Sequence, residues 1–301
     1  MKSDTVSKIN RLKESMGAAI VAHNYQRPEI QDIADFTGDS LELARKCTNI
    51  ESGTIVFCGV HFMAETVSIL NPDKTVLLTE PSAGCPMAEM IDTDRLQKWV
   101  DNYPDAKVIS YVNSTATVKA ESYICCTSAN GISVVNSIPG DKVLFVPDQN
   151  LGHYISLHSK KQVVLFPGYC YVHHRINPQQ VRLARELHPE AELIVHPECR
   201  PEVVAMADAV LSTSQMLRYV RSSSSQGFIV GTEEGIIYPL QKGNPHKSFY
   251  PVSAGQVCFD MKKTTLETLA HTMETGGNQV TVPETIRDRA KIAVERMLAI
   301  G

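Results

Sequence analysis

One pattern recurs three times along the 301 residues, and it leaves few folds open. A short apolar run ends in a polar residue at Ala18-Ala19-Ile20-Val21-Ala22-His23, at Ala106-Lys107-Val108-Ile109-Ser110-Tyr111-Val112-Asn113 and at Ala191-Glu192-Leu193-Ile194-Val195-His196. The second and third runs share a lead-in, Tyr103-Pro104-Asp105 and His188-Pro189-Glu190, each behind a helical stretch (94–102 and 179–187). Asn177-Pro178 supplies the third of these helices with an N-cap and a proline at its first position. Ser3-Asp4, opening an amphipathic segment through Lys13, supplies the corresponding helix for the first run. Downstream of His23, Asn113 and His196 come the hydroxyls Ser40, Ser128 and Ser212 (with Thr213 beside it), 17, 15 and 16 residues on. Each opens a helical pattern (41–47, 129–138 and 215–220), where a serine or threonine oxygen can cap an orphan N–H. Second apolar strands at 55–57, 143–146 and 228–230 end at Gly59, Pro147 and Gly231, 19 residues beyond the hydroxyl. After another helix comes a third strand, at 76–78, 163–166 and 249–252, and after it a cysteine: Cys85, Cys170 or Cys258.

Short strands alternating with helices predict parallel sheets with helices on both faces, hence an α/β protein of three repeats, 1–87, 88–172 and 173–301. Ligand sites in such sheets lie beyond the carboxyl ends of the strands. Three similar units can therefore aim three sets of strand ends at one central cavity. No linker separates the units; Ser222–Gln226 is the one low-complexity stretch and reads as a surface loop.

Composition narrows the function classes. With 29 Lys and Arg against 33 Asp and Glu, and a net charge near −4, the chain is not patterned as a nucleic-acid or membrane-surface binder. No apolar run approaches the roughly 20 residues that span a bilayer. Met1-Lys2-Ser3-Asp4-Thr5 has no apolar core behind it, so no secretory signal is expected and the cytoplasm is the expected compartment. Eight cysteines in a reducing compartment are not expected to pair, and no C-x-x-C spacing occurs. Five of them, Cys47, Cys58, Cys125, Cys126 and Cys199, lack threefold spacing and read as small core residues.

The other three carry chemistry if they meet. Catalytic metal sites keep one coordination position open, whereas structural zinc is closed by four ligands. Three thiolates from Cys85, Cys170 and Cys258 suit a four-iron cluster with one bare iron, a Lewis acid for dehydration; buried apolar packing is the alternative for the same residues. Three helix N-termini aimed at one point, with Ser40, Ser128, Ser212 and Thr213, would bind carboxylate or phosphate, although each hydroxyl taken singly is equally a plain helix cap. Glu198 is a candidate general base or a surface residue after a proline turn. His23 and His196 are candidate site residues or satisfied core histidines, and Tyr25 and Tyr111 site residues or packing aromatics. His173 and His174 sit close enough to Cys170 to ligate a metal or to gate a loop; His61, Glu65 and Glu233 are weaker candidates.

Several segments resemble the quinolinate synthase family, the A protein of de novo NAD biosynthesis. They are Ala22-His23-Asn24-Tyr25-Gln26, Asp32-Ile33-Ala34-Asp35-Phe36, Gly38-Asp39-Ser40, Phe62-Met63-Ala64-Glu65, Cys85-Pro86-Met87-Ala88, Tyr111-Val112-Asn113-Ser114, Thr127-Ser128-Ala129-Asn130, His196-Pro197-Glu198-Cys199 and Met261-Lys262-Lys263-Thr264-Thr265-Leu266. Together they run over nearly the whole chain. The resemblance implies three pseudo-symmetric α/β/α domains around a central cavity. It implies one [4Fe-4S] cluster on Cys85, Cys170 and Cys258, used in a condensation of iminoaspartate with dihydroxyacetone phosphate to quinolinate, phosphate and water. Substrate-binding positions then fall on His23, Ser40, Tyr111 through Asn113, Ser128, His196 through Glu198, and Thr213. Tyr25 and Glu198 become acid/base residues, His23 is catalytic beside them, and an iminoaspartate-producing enzyme becomes a functional partner. Tyr169 and His174 depart from many relatives. Three rival readings of the thiol trio are a hydro-lyase for another small acid, a non-catalytic iron-sulfur carrier and a zinc protein.

Overall fold

Because each apolar run is followed by a helix that must return before the next, the strands pair in parallel. A computed structural model describes residues 2–300 and contains three four-stranded sheets, all parallel. The first is built from β1 (Ala18–His23), β2 (Phe36–Gly38), β3 (Thr54–Cys58) and β4 (Thr75–Leu78). The second is β5 (Lys107–Tyr111), β6 (Ile124–Cys126), β7 (Lys142–Val146) and β8 (Gln162–Leu165). The third is β9 (Glu192–Val195), β10 (Ala209–Val210), β11 (Gly227–Gly231) and β12 (Ser248–Pro251). Their spatial orders are the same: β2-β1-β3-β4, β6-β5-β7-β8 and β10-β9-β11-β12. The expected α/β class holds, with one addition. Each unit has a fourth, edge strand (β2, β6, β10) of only two or three residues, too short to show a period-2 pattern in sequence.

Strand side chains alternate between faces, and here the two faces go to different cores. Ala19, Val21, Ile55 and Phe57 join Ile109, Val143 and Phe145 and Ile194, Phe228 and Val230 in one apolar cluster shared by all three sheets. The alternate residues fill a private cluster under each unit's own helices: Ile20 and Ala22 with Ile9 in the first, Val108 and Leu144 with Leu96 in the second, and Leu193 and Val195 with Val181 in the third. Fully buried strands of this kind read as continuous apolar runs, which is how they stand in the sequence. The helix Pro178–Leu187 begins as expected: Asn177 and Gln180 form a reciprocal capping box ahead of Pro178. The first helix, Lys2–Met16, takes in the expected Ser3-Asp4 opening; Met1 of the leading segment lies outside the described residues.

The end of the chain reaches back to the first two units. The helix Leu266–Thr275 packs Leu269 and Met273 into the first unit's private cluster. Gln279 bridges antiparallel to Leu77, so this segment covers the outer edge of β4. The helix Glu284–Leu298 sets Ala290 against Ile69, Ala116 and Ala120 and sends Val294 and Met297 into the shared cluster. These residues fall within the range 173–301 expected for the third repeat, yet they tie the first and second units together. Among the described residues, no helix is long and apolar enough to cross a membrane.

Candidate active site

Strand register, set by hydrogen bonds, gives the true equivalences among the units. Val21 pairs with Phe57, Ile109 with Phe145 and Ile194 with Val230. One step of two residues further along the shared-core face stand His23, Tyr111 and His196. Tyr111, not Asn113, is thus the counterpart of the two histidines, and Asn113 corresponds to Tyr25 and Glu198. On the same register the equivalent hydroxyls are Ser40, Ser128 and Thr213, each 17 residues past the strand-end residue. The unequal sequence intervals came from aligning on polarity, which the pleat does not follow.

These residues meet in one cavity of about 80 Å³, small enough to select a metabolite-sized ligand. Its lining includes His23, Tyr25, Ser40, Tyr111, Asn113, Ser128, His196, Glu198 and Thr213, together with Cys85, Cys170 and Cys258. Ser212 is not among them. It is fully buried, it accepts from Gln215 N as the N-cap of the helix Thr213–Ser222, and it donates to Asp39 Oδ2 at 3.4 Å. Capping elsewhere falls to other residues. Asp39 accepts from Leu41 and Glu42 N–H, which leaves the Ser40 hydroxyl to the cavity, and Ser128 precedes its helix, which starts at Gly131 behind Asn130. Contacts between units close the floor: Asn24 Nδ2 donates to Thr213 Oγ1 at 3.2 Å, and Ser128 Oγ lies 3.2 Å from His196 Nε2. Among the described residues the buried Asn113 Oδ1 has no hydrogen-bond partner, so the cavity wall presents an amide oxygen awaiting a donor.

The three cysteines repeat the symmetry in their backbone. Two residues before each, a carbonyl accepts from the residue that follows the second strand's turn: Ala83 O from His61 N (2.8 Å), Gly168 O from Gln149 N (2.8 Å) and Gln256 O from Glu234 N (2.9 Å). Three residues after each, a backbone N–H reaches the sulfur: from Ala88 to Cys85, from His173 to Cys170 and from Met261 to Cys258. Such N–H···S bonds stabilise thiolate and tune an iron-sulfur cluster. Gly168 is required by close approach, because a Cβ there would stand 2.5 Å from Pro147 O. Without a metal, burial pushes the Cys85 thiol up to about 12 and raises Cys170 and Cys258. The other five cysteines are buried elsewhere and do not line the cavity. Three converging thiols with backbone donors, and no fourth thiol, fit a cluster with one bare vertex. Cys170 Sγ, His173 and Glu198 also lie within 4.8 Å of one another, a possible metal-binding group.

Beside Cys170, whose Sγ lies 3.2 Å from His173 Nδ1, runs a chain of hydrogen bonds. Tyr25 OH is 2.6 Å from Thr232 Oγ1, Thr232 Oγ1 is 2.8 Å from His173 Nε2, and His173 Nδ1 is 2.7 Å from Glu198 Oε2. Because a carboxylate only accepts, the His173 Nδ1–H donates to Glu198. Burial would raise the Glu198 carboxyl, but the imidazoles of His173 and His196 and hydrogen bonds from His173 and Tyr111 hold it down to about 2. Burial lowers His23 to about 4 and His196 to about 3, and it raises the Tyr25 and Tyr111 phenols. Both strand-end histidines have their Nδ1 occupied by a backbone N–H two residues on: Tyr25 N to His23 (3.1 Å) and Glu198 N to His196 (3.3 Å). Their Nε2 atoms therefore carry the proton and can donate.

Several residues sequence reasoning passed over or ranked low belong here. Thr232 replaces Gly231 as the residue equivalent to Gly59 and Pro147, a one-residue offset that register alone corrects. Phe62, Met63, Met87 and Met261 supply the apolar wall, and Glu233 lines the cavity while paired with Lys262 at 2.9 Å. His173 is buried in the site, whereas His174 lies outside it, 3.2 Å from Asn150. His61 and Glu65, 3.9 Å apart, line a separate solvent-open groove that also reaches Cys85.

Comparison with known proteins is consistent over the full length. The family model described as quinolinate synthetase A protein matches residues 7–299. A quinolinate synthase of Thermodesulfovibrio yellowstonii is 50% identical over 301 residues, covering 100% of this chain and 99% of the relative. That of Dehalococcoides mccartyi is 55% identical over 293 residues, and that of Methanoregula boonei 54% over 293, each covering 97% of both chains.

Proposed function

The chain belongs to the quinolinate synthetase A protein family, and we propose that it condenses iminoaspartate with dihydroxyacetone phosphate to give quinolinate, phosphate and water. What carries this reading is the convergence of three cysteines, held by equivalent backbone hydrogen bonds, on a cavity that also holds the Tyr25–Thr232–His173–Glu198 chain. Cys85, Cys170 and Cys258 would hold one [4Fe-4S] cluster, which when bound supplies a Lewis-acidic iron for the loss of a hydroxyl as water. The hydroxyls of Ser40, Ser128 and Thr213 and the Nε2–H groups of His23 and His196 donate to the carboxylates of iminoaspartate and to the triose phosphate. Neutral imidazoles suit this task, because they donate without fixing an ion pair that would have to break on product release. Glu198, held as a carboxylate, takes a proton from the imine to form the enamine, whose carbon attacks C1 of the triose as the C1–O bond to phosphate breaks. The Tyr25 phenol gives its proton to the triose during isomerisation of the ketone and regains, through His173 and Thr232, the one that Glu198 took, after which the nitrogen closes the ring.

On this reading the repeats span 1–87, 88–172 and 173–301, and the protein works in the cytoplasm beside an enzyme that supplies iminoaspartate, with no nucleic-acid partner. The test is an anaerobic assay of the purified, iron-reconstituted protein. Quinolinate is expected only when both iminoaspartate and dihydroxyacetone phosphate are present. Formation from either alone, or dehydration of an unrelated small acid in its place, overturns the proposal.

A further inference from the structure

Register equivalence exposes a difference among the three cysteine loops. The residue that follows Gly59, Pro147 and Thr232 is Val60 in the first unit, Asp148 in the second and Glu233 in the third. Both carboxylates are fully buried, and each accepts the backbone N–H of its own unit's cysteine: Asp148 Oδ2 from Cys170 N at 3.0 Å, and Glu233 Oε1 from Cys258 N at 3.1 Å. The second oxygen of each is also used, Asp148 Oδ1 by Leu151 N at 2.7 Å and Glu233 Oε2 by Gly235 N at 2.7 Å, so neither side chain can swing away. Val60 offers no acceptor, and among the described residues no side chain accepts from Cys85 N. All three loops share the backbone hook two residues upstream, but only Cys170 and Cys258 have a second hook on the cysteine itself.

A carboxylate near a thiolate opposes it by like-charge repulsion, so neither is placed to stabilise the sulfur's charge, and that of Glu233 is met by Lys262 Nζ at 2.9 Å. What they supply is position. Two fixed points two residues apart, at residues 168 and 170 or 256 and 258, leave the cysteine backbone between them little freedom. We propose that Asp148 and Glu233 are positioning residues that preset Cys170 and Cys258 for the metal, while Cys85 is the adjustable arm that closes last and opens first. This rests on the reading of the three thiols as cluster ligands.

The test is site-resolved thiol reactivity. Reconstituted full-length protein is stripped with a chelator in the presence of N-ethylmaleimide, and modification of each cysteine is followed by peptide mass spectrometry. In the wild type Cys85 reacts first. Asp148→Ser keeps an oxygen that can cap Leu151 but none for Cys170, and it raises the Cys170 rate about five- to tenfold while leaving Cys258 unchanged. Glu233→Ser, which likewise keeps an oxygen that can cap Gly235 but none for Cys258, does the reverse, and thermal unfolding reports whether either variant has lost its fold. A Cys170 rate unaltered in Asp148→Ser, all three rates rising together in a variant that unfolds no earlier than wild type, or Cys85 lagging in the wild type overturns the proposal. The same rates are read on iron-free chain. Failure of the wild type to take up iron would therefore count against the cluster and leave the positioning claim to stand or fall on its own.

Discussion

Thr232 is the residue on which the acid/base chain turns, and Thr232→Val removes its hydroxyl while keeping its shape. The hydroxyl makes two short contacts, 2.6 Å to Tyr25 OH and 2.8 Å to His173 Nε2. Each neutral hydrogen bond is worth about 1 kcal/mol net, so about 2 kcal/mol is at stake. Tyr25 OH already lies 3.5 Å from His173 Nε2, and a small shift closes a direct bond that recovers part of the loss. The net deficit is then about 1–2 kcal/mol, or roughly a 5- to 30-fold fall in kcat if the connection is used in the rate-limiting step. Neither contact involves the hydroxyls of Ser40, Ser128 or Thr213, so KM for both substrates is expected to stay near wild type, and iron content is expected to be unchanged. Anaerobic steady-state kinetics with each substrate varied, together with iron analysis of the same preparation, separates these outcomes. A kcat within about twofold of wild type at full iron occupancy would show that turnover does not depend on proton passage through Thr232.

Other outcomes follow from the same geometry. Glu198→Gln should lower kcat by about 10²- to 10⁴-fold with the iron content of wild type; loss of the iron instead would make Glu198 a metal ligand. Ser212→Ala should cost about 1 kcal/mol in thermal unfolding and leave KM alone, whereas Thr213→Val should raise KM; a KM effect from Ser212→Ala would put that residue back among the substrate contacts. The folded-state values of His23 and His196, about 4 and about 3, lie below the ordinary 6.5, so the unfolded chain binds more protons between those limits. Stability of the iron-free chain should therefore be full above pH 6.5 and fall as pH drops toward 4 and then 3. His23→Gln should flatten the upper part of that fall, and an unchanged pH profile in this variant would contradict the buried, neutral assignment.

Much of this arrangement was legible in the chain itself, and the exceptions have physical causes. The parallel class followed from apolar runs buried on both faces, and the cysteine trio from its position after the third strand of each unit. The edge strands β2, β6 and β10 did not show, because two or three residues carry no periodicity. Asn113, not Tyr111, is matched to His23 and His196 by chemical type, whereas backbone hydrogen bonding sets which residue continues the shared-core face. The same offset hid Thr232 behind Gly231. Ser212 was expected in the cavity because it resembles Ser40 and Ser128 in type; it is spent on capping, and Thr213 takes the lining position. Asp148 carries no local motif at all. Its partners are Leu151 N and Cys170 N, and the second is 22 residues away, so only the folded loop reveals the contact.

Iron and acid-labile sulfide per chain, measured after anaerobic reconstitution of single Cys→Ser variants, bear most directly on the central claim. Substitution at Cys85, Cys170 or Cys258 is expected to abolish or sharply reduce the cluster, and substitution at Cys125 or Cys199 to leave it intact. A full complement of iron and sulfide in any one of the first three, or its loss in either of the last two, would contradict the account.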